Sequence, residues 1–256
     1  MNQFLAFSKK ELLSDWRSGR ILLLLALTTI FGMMNPLFAK LTPYFVQMMS
    51  ENLAEIGVEI GEIKVDALTS WSQFYKNLPI LLILFVLLFS STLTNEIQKG
   101  TLVNLMTKGL SRWKIYFSKW LFGTIFWTIS YWGCYLITYA YTSYYWNNAI
   151  ISQLGQKSIH YYLWGIWIYS LLLFFSSFIA SGHIVLVLGG ISVASLYLLA
   201  SFSDLARYTP YYLSTGAKTL GSTVVFSEYY PSLIATIVTI CLFTIAGILI
   251  FNKKEF

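Results

Sequence analysis

The stretch NEIQKGTLVNLMTKGLSRWKIYFSK, residues Asn95 to Lys119, separates two long apolar segments. It is polar and basic, and it contains Gly100 and Gly109, a residue type that ends or breaks helices. The flanking segments, Phe74–Leu93 and Trp120–Tyr141, are each near the roughly 20 residues that a helix needs to cross a bilayer. The stretch is therefore predicted to be a surface connection between two membrane-spanning helices.

The composition is that of a membrane protein. The 256 residues are 57% hydrophobic and only 11% charged, whereas a soluble domain carries about 25% charged residues. The fold class predicted is an all-α membrane protein with six transmembrane helices, in the segments Ile21–Phe38, Phe74–Leu93, Trp120–Tyr141, Tyr162–Ile179, Ile184–Phe202 and Leu233–Phe251. The first segment lacks a small-residue cleavage site and is interpreted as a retained helix. We expect a single domain over residues 1–256, with an interfacial helix in 1–20, a six-helix bundle in 21–251 and an elbow in 95–119.

Charge placement orients the spans. One set of connections and both termini hold 11 cations against four anions, and the other set holds six cations against seven anions. By the positive-inside rule, both termini and the Asn95–Lys119 connection are predicted to be cytoplasmic. Aromatic residues near the opposite ends of the spans are predicted to form an interfacial belt, with Tyr161, Trp164 and Trp167 among them.

The N-terminal arm is predicted to be an amphipathic helix. Ser8 and Glu11 have the spacing of a capping box, so the helix is expected to begin at Ser8, to run to about Arg17 and to end at Gly19. Its apolar face would consist of Leu12, Leu13 and Trp16. Such a helix lies in the headgroup plane of a bilayer; the alternative is a straight extension of the first span.

The Asn95–Lys119 stretch itself predicts a helix–Gly–helix elbow. Thr101 is a candidate cap for a short helix over Leu102–Lys108, which Gly109 would end. Ser111 would then cap a second helix that runs into the third span. An elbow this short cannot enclose a core of its own. We therefore expect its apolar side, which consists of Leu102, Leu105 and Met106, to be buried on the membrane surface or on another protein.

The elbow resembles a known family. Asn95-Glu96, Lys99-Gly100-Thr101-Leu102, Leu105, Lys108-Gly109-Leu110-Ser111-Arg112 and Lys119 are similar to the E-x-x-x-GT-L…(P/G)-L-SR…K pattern of ABC-2 type permeases. These are the membrane subunits of bacterial ATP-driven exporters. Lys10-Glu11-Leu12 and Trp16-Arg17 resemble the family's membrane-surface connecting helix. Gly109 stands where many members have proline, and either residue breaks a helix.

The resemblance implies a coupling role for the elbow. Glu96, Lys108 and Arg112 would make polar contacts with a separate ATPase subunit, and Leu105 and Met106 would pack into its groove. The full set of expected coupling residues is Glu96, Gly100, Thr101, Leu102, Leu105, Met106, Lys108, Gly109, Ser111 and Arg112. The expected partners are two ABC ATPase subunits, a second permease that is identical or related, and the lipid bilayer of the bacterial cytoplasmic membrane, with no nucleic acid.

The chain is expected not to be an enzyme. No G-x-x-x-x-G-K-[ST] phosphate loop occurs in these residues, so ATP and magnesium are expected on the partner ATPase. The two cysteines, Cys134 and Cys241, lie in apolar segments and predict neither a disulfide framework nor a metal site.

A stripe of aromatic residues in the third span is the candidate substrate path. Trp127, Tyr131, Tyr135 and Tyr139 recur every four residues and share one face of a helix. Facing a path between two subunits, their rings and hydroxyls would suit an amphipathic cargo, for which a peptide or antimicrobial is favoured over a drug, a polysaccharide precursor or a lipid. The alternative is ordinary helix packing.

Two other function classes find less support in the residues. An ion-coupled secondary transporter or channel usually carries ionisable residues inside its spans. Here His183 is expected at a cytoplasmic turn and His160 near the outer surface. An intramembrane enzyme finds little support, because the adjacent Ser181 and His183 cannot easily present a nucleophile and a base to one substrate. Asn35-Pro36 and Thr209-Pro210 are interpreted as helix breaks, with short separate helices expected around Tyr44–Leu53.

Overall fold

The computed structural model describes residues 2–54, 65–107, 109–151, 153–202, 204–220 and 226–254. Within these ranges the chain is almost wholly helical and contains no strand. The α-helices are α1 (Asn2–Arg17), α2 (Arg20–Ala54), α3 (Ala67–Phe89), α4 (Thr92–Gln98), α5 (Thr101–Thr107), α6 (Arg112–Tyr145), α7 (Leu154–Phe178), α8 (Gly182–Phe202) and α9 (Tyr230–Lys253). Short 3-10 helices cover Asn148–Ile150, Asp204–Tyr208, Pro210–Thr219 and Phe226–Tyr229.

Five segments of the described chain are long and apolar enough to cross a membrane: Arg20–Met48, Ala67–Gln98, Leu154–Phe178, Gly182–Ser201 and Ser227–Lys253. These confirm a multi-pass all-α membrane protein. The predicted count of six is not confirmed, because the third predicted span lies in α6, which is not among the five. Tyrosine, tryptophan, serine and threonine are frequent in α6 and lower its mean hydropathy.

Helix α6 nevertheless runs from one end of the bundle to the other. Its 34 residues correspond to a length of about 50 Å. Polar contacts join it to α1, α2 and α3 at successive levels: Ser8 with Ser118 at 3.4 Å, Thr28 with Ser130 at 2.8 Å, Asn35 with Thr138 at 2.9 Å and Ser70 with Thr142 at 2.7 Å. We call the end that contains α1, α4, α5 and the beginning of α6 the elbow end, and the opposite end the far end.

Helix α2 continues through the predicted break at Asn35-Pro36. Pro36 has no N–H to donate to the carbonyl of Gly32, four residues earlier. The side chain of Thr138 on α6 donates to that carbonyl at 3.1 Å instead. The separate helices expected around Tyr44–Leu53 are likewise part of α2, which extends to Ala54. The break at Thr209-Pro210 is confirmed, because one 3-10 helix ends at Tyr208 and the next begins at Pro210.

Helix α7 is the centre of the bundle, and α8 and α9 lie at its periphery. Of the 18 most apolar consecutive residues of α7, 67% are buried, whereas the share is 11% in α8 and 11% in the segment that contains α9. The expected interfacial belt is therefore wrong for Tyr161, Trp164 and Trp167, which are buried in the core. The peripheral helices expose apolar side chains such as Ile191 and Ile245, as lipid-facing helices do.

Candidate functional site

The elbow is built by two glycine turns. Gly100 has φ +64° between α4 and α5, and Gly109 has φ +83° between α5 and α6, a conformation that residues with a Cβ rarely adopt. At the second turn, the N–H of Gly109 donates to Met106 O and that of Leu110 donates to Leu105 O. The predicted order of short helix, glycine and long helix is present, and Ser111 occupies the N-cap position of α6, without a hydrogen bond from its side chain to the helix.

Helix α1 begins earlier than predicted. It starts at Asn2, so Ser8 and Glu11 lie inside the helix and the predicted capping box is wrong. Each side chain has a partner on α6 instead: Ser8 contacts Ser118, and Glu11 pairs with Lys119. The predicted end of the helix is correct, since α1 ends at Arg17 and Gly19 has φ +74°.

The inner face of α1 is bound to the elbow by a network of ion pairs. Lys119 of α6 pairs with Glu11 of α1 and lies 3.3 Å from Glu96 of α4. Lys10 bridges the same two carboxylates, at 2.9 Å from Glu11 and 2.7 Å from Glu96. The side chains of Lys119 and Glu11 are only 7% and 5% exposed. Charge pairs thus hold three separate helices together; those of Lys119 are largely shielded from solvent, whereas the Lys10 side chain is 43% exposed.

The pKa shifts on α1 follow from burial and from these pairs. For Glu11, burial raises the pKa, but the charges of Lys119 and Lys10 outweigh it and leave the pKa below its usual value. For Lys10, burial lowers the pKa, and the hydrogen bond with Glu96 and the charge of Glu11 more than offset it, so its pKa is raised. For Asp15, burial raises the pKa, and Lys119 and Arg20 compensate only in part.

The apolar side of the elbow packs on the chain itself. Leu102 is fully buried in a small second core, so the expectation that the elbow needs the membrane or another protein to bury this side is wrong for Leu102. Leu105 and Met106 are partly buried against the same core. Leu110, Ile115 and Tyr116 of the elbow and the preceding Leu93 belong to this core, and distant parts of the chain complete it with Phe7, Leu173 and Phe251.

Arg112 connects the elbow to the end of the chain. Its Nη1 donates to the carbonyl oxygens of Asn252, at 2.9 Å, and of Lys254. The carbonyls at the carboxyl end of a helix have no partners within the helix and carry partial negative charge, so a guanidinium suits them. Arg112 and Glu96 therefore both have partners within the chain, whereas Lys108 lies outside the described residues.

The exposed face of the elbow is formed by different residues. Val103 is 40% exposed and Trp113 is 46% exposed. Among the described residues of the elbow, the exposed ones are Gln98, Lys99, Gly100, Thr101, Val103, Thr107, Gly109 and Trp113. Three of them, Gly100, Thr101 and Gly109, belong to the predicted coupling set. Sequence reasoning missed Val103 and Thr107, although helical phase indicates them: residues 103 and 107 are four apart, on the side of α5 opposite Leu102 and Leu105.

The outer face of α1 is apolar, as predicted. Leu12, Leu13 and Trp16 are 45%, 43% and 52% exposed. They border a groove of about 570 Å³ whose other walls are Ile21, Leu24, Leu25, Phe126 and Ile129. A helix that buries its carboxylates in the protein and exposes its leucines is arranged for an apolar surrounding, so this face fits the membrane interface.

The predicted aromatic stripe does not form one continuous surface. Trp127 and Tyr131 are fully buried in the chain; the indole donates to Tyr162 O at 3.0 Å and the Tyr131 hydroxyl donates to Ser158 O at 2.6 Å. The path hypothesis is therefore corrected for these two residues, which pack the bundle. Tyr135 and Tyr139 remain accessible and line a cavity of about 700 Å³ at the far end.

Two titratable residues occupy unexpected places on α7. His160 is only 2% exposed, and its ring stacks on Tyr229 at 4.2 Å between centroids. Lys157, one turn earlier, is 5% exposed. The expected surface position of His160 is wrong, because the 3-10 segments before α9 cover this end of α7. In the described part of the chain, no group of three or more His, Cys, Asp or Glu residues could hold a metal ion.

Two comparisons with known proteins cover most of the chain. The sequence model described as ABC-2 family transporter protein matches residues 5–204. An uncharacterized transmembrane protein of Bacillus subtilis (strain 168), YxlG, is 26% identical over 218 residues, which are 82% of this chain and 81% of that protein. The matched range extends from α1 through the elbow and includes α6 to α8.

Proposed function

Since this chain belongs to the ABC-2 family of transporter membrane proteins, we propose that it is the permease of an ATP-driven exporter whose ATPase is a separate chain. Family membership makes it a multi-pass permease subunit of an ABC transporter. The direction of transport, the coupling route and the cargo are our proposals. ATP and magnesium would be bound by the ATPase partner.

The observation that carries the coupling proposal is the ion network of Lys119, Glu11, Glu96 and Lys10. It joins α1 and α4 to the beginning of α6, while Arg112 joins the same place to the end of α9. A force applied to α5 would move these helices together instead of bending one loop. The ATPase would dock on the exposed face around Val103, Thr107 and Trp113, and the buried residues of the predicted set would transmit the motion.

The proposed assembly contains two ATPase subunits and a second permease, identical or related. Most oligomers of this kind are closed by a two-fold axis. The two elbows would each receive one ATPase. The poorly buried, apolar surfaces of α8 and α9 offer room for a second permease as well as for lipid.

The proposed cargo is an amphipathic peptide. Its support is the accessible half of the aromatic stripe, where Tyr135 and Tyr139 present stacked rings with 6.2 Å between centroids. Rings and hydroxyls together suit a molecule with one apolar and one polar face. A drug, a polysaccharide precursor or a lipid remains the alternative cargo.

The test is copurification of the tagged permease with the ATPase subunit, followed by measurement of ATP hydrolysis. Val103→Asp on the exposed face of α5 is expected to abolish copurification while the permease still folds. Ile150→Asp is the matched control, because Ile150 is 63% exposed and lies in the far-end 3-10 helix. Normal copurification of Val103→Asp would reject the proposed docking face. Uptake driven by an ion gradient without any ATPase would favour the ion-coupled alternative.

A further inference from the structure

The cavity at the far end of the bundle has an unusual lining. Its volume is about 700 Å³, and it opens beside the carboxyl end of α6. Five of its described lining residues are aromatic, namely Tyr135, Tyr139, Tyr144, Tyr145 and Trp146. None of the described lining residues carries a formal charge.

The aromatic side chains are accessible, and neighbouring rings support Tyr135 and Tyr139. Tyr139, Tyr144 and Tyr145 are 43%, 81% and 41% exposed. Tyr135 stacks on Tyr139, and the buried ring of Trp71 supports Tyr135 from behind at 5.0 Å between centroids. Ring faces carry negative electrostatic potential, so a wall of this kind attracts positive charge without a carboxylate.

Three non-aromatic polar residues of the cavity have hydrogen-bond partners within the chain. Asn148 accepts from Trp71 Nε1 at 2.9 Å and donates to Tyr139 O at 3.1 Å. Asn147 accepts from Ala149 N, and Ser143 donates to Ala140 O. What the cavity offers a ligand is therefore mainly the rings and hydroxyls of its tyrosines.

An ammonium group already rests on this wall. The Nζ atom of Lys40, near the middle of α2, lies 4.2 Å from the centroid of the Tyr145 ring, within the distance of a cation–π contact. We propose that the far-end cavity is a binding site for an alkylammonium group. Tyr139 and Tyr144 would hold the cation on their ring faces; Tyr145 is not assigned to the ligand, because Lys40 already occupies its ring and a second cation there would be repelled.

Two sources could supply this chemistry: a cationic side chain of the exported cargo, or the headgroup of an ethanolamine lipid. The proposal rests on the proposed function only for the first source, since binding itself needs neither the ATPase nor transport. If the chain binds choline but never assembles with an ATPase, the exporter proposal is rejected and the proposal of an ammonium site is retained.

The experiment compares two molecules of the same shape. The purified chain, in nanodiscs of phosphatidylglycerol alone, is titrated with choline and with its neutral isostere 3,3-dimethylbutan-1-ol, and binding is followed by ligand-observed NMR. Choline is expected to bind at least about fivefold more tightly, because only it gains the cation–π contribution. Equal affinity for the two molecules would overturn the proposal.

Variants locate the site. Tyr139→Leu and Tyr144→Leu are expected to remove the preference for choline, whereas Tyr139→Phe is expected to keep it because the ring face remains. Tyr208→Leu is the matched control, since Tyr208 is 63% exposed and is not among the residues that line the cavity. A preference that survives both leucine variants would place the site elsewhere and reject the assignment; circular dichroism checks that each variant is folded.

A second lipid composition identifies the source. When half of the lipid is phosphatidylethanolamine, a loss of apparent choline affinity assigns the site to the lipid headgroup. Unchanged affinity assigns it to a cationic cargo. Both results support an ammonium site, and they differ only in which molecule occupies it.

Discussion

Lys119 of α6 forms an ion pair with Glu11 of α1, although the two residues are 108 positions apart in the chain. Both side chains are less than a tenth exposed. Removing one member of a buried pair leaves the other charge without compensation, which costs far more than the pair contributes when intact. This contact is therefore the most sensitive point of the junction between α1 and α6.

Replacing Lys119 is expected to destabilise the protein strongly. Lys119→Met should lower the free energy of unfolding by about 3 kcal/mol, because Glu11 and Glu96 would stay buried with one fewer cation. The double variant with Glu11→Gln should lose less than the two single variants added together. Denaturant titration in detergent micelles measures both. Lys9→Met, at an exposed position of α1, is the control and should change stability by less than about 0.5 kcal/mol; additive losses would argue against a coupled pair.

The loss of folding stability at low pH is expected to depend on Glu11. Its lowered pKa means that its contribution is fully present above its unfolded pKa of about 4.3 and is lost as the pH falls through the lower folded value. Lys10 has a raised pKa, so its contribution is present below about pH 10.4 and is lost as the pH rises through the folded value. Melting temperatures measured between pH 3 and pH 11 should therefore be highest between these two limits and should fall on either side.

Asp15 provides the matched comparison, with the opposite sign. Its pKa is raised, so the charged carboxylate costs stability at neutral pH and the cost is relieved as the pH falls. Glu11→Gln should lower the melting temperature at pH 7 and reduce its fall at low pH. Asp15→Asn should leave the melting temperature unchanged or raise it. Equal losses in the two variants would show that burial, and not pairing, controls the Glu11 carboxylate.

Thr138 is expected to maintain the path of α2 across Pro36. Its hydroxyl donates to the Gly32 carbonyl and accepts from Asn35 Nδ2. Thr138→Val keeps the shape but leaves both buried groups without this partner, at a cost of about 1–3 kcal/mol. Thr29→Val is the control, because the Thr29 hydroxyl is exposed and bonds only locally to Leu25 O. Equal melting temperatures for the two variants would contradict this role.

Gly165 is expected to tolerate no side chain. A Cβ there would lie 2.3 Å from the Trp127 ring, and that ring is held by its hydrogen bond to Tyr162 O. Gly165→Ala should therefore cost about 1–3 kcal/mol through overpacking. A Cβ at Gly190 meets no atom within 4 Å, so Gly190→Ala should be neutral or stabilising by up to about 1 kcal/mol. Thermal melting of the two variants tests this packing of α6 on α7.

Arg112 is expected to affect transmission more than assembly. Arg112→Ala removes the contacts with Asn252 O and Lys254 O and leaves the exposed face of α5 intact. The variant should still copurify with the ATPase, while transport per ATP hydrolysed falls several-fold. Loss of copurification would place Arg112 on the docking surface, as the family resemblance first implied.

Much of the architecture was predictable from residues close together in the chain. The glycine turns at Gly19, Gly100 and Gly109 and the apolar face of Leu12, Leu13 and Trp16 follow from local spacing. The prediction of a capping box was wrong because Ser8 and Glu11 have partners on α6. Rules based on local spacing cannot anticipate a partner more than a hundred residues away. The predicted helix break at Pro36 was wrong for the same reason, since the hydroxyl that satisfies the Gly32 carbonyl belongs to the distant Thr138.

The amino-acid sequence by itself determined that the chain is helical, that it crosses a membrane and that a glycine-bounded elbow joins two of its long helices. These properties depend on composition and on spacings of a few residues. Only the tertiary structure decided which side of the elbow is available to a partner, and which rings of the α6 stripe are buried. Both depend on which helices pack against each other. A given leucine or tyrosine is buried or exposed depending on whether a distant segment of the chain covers it.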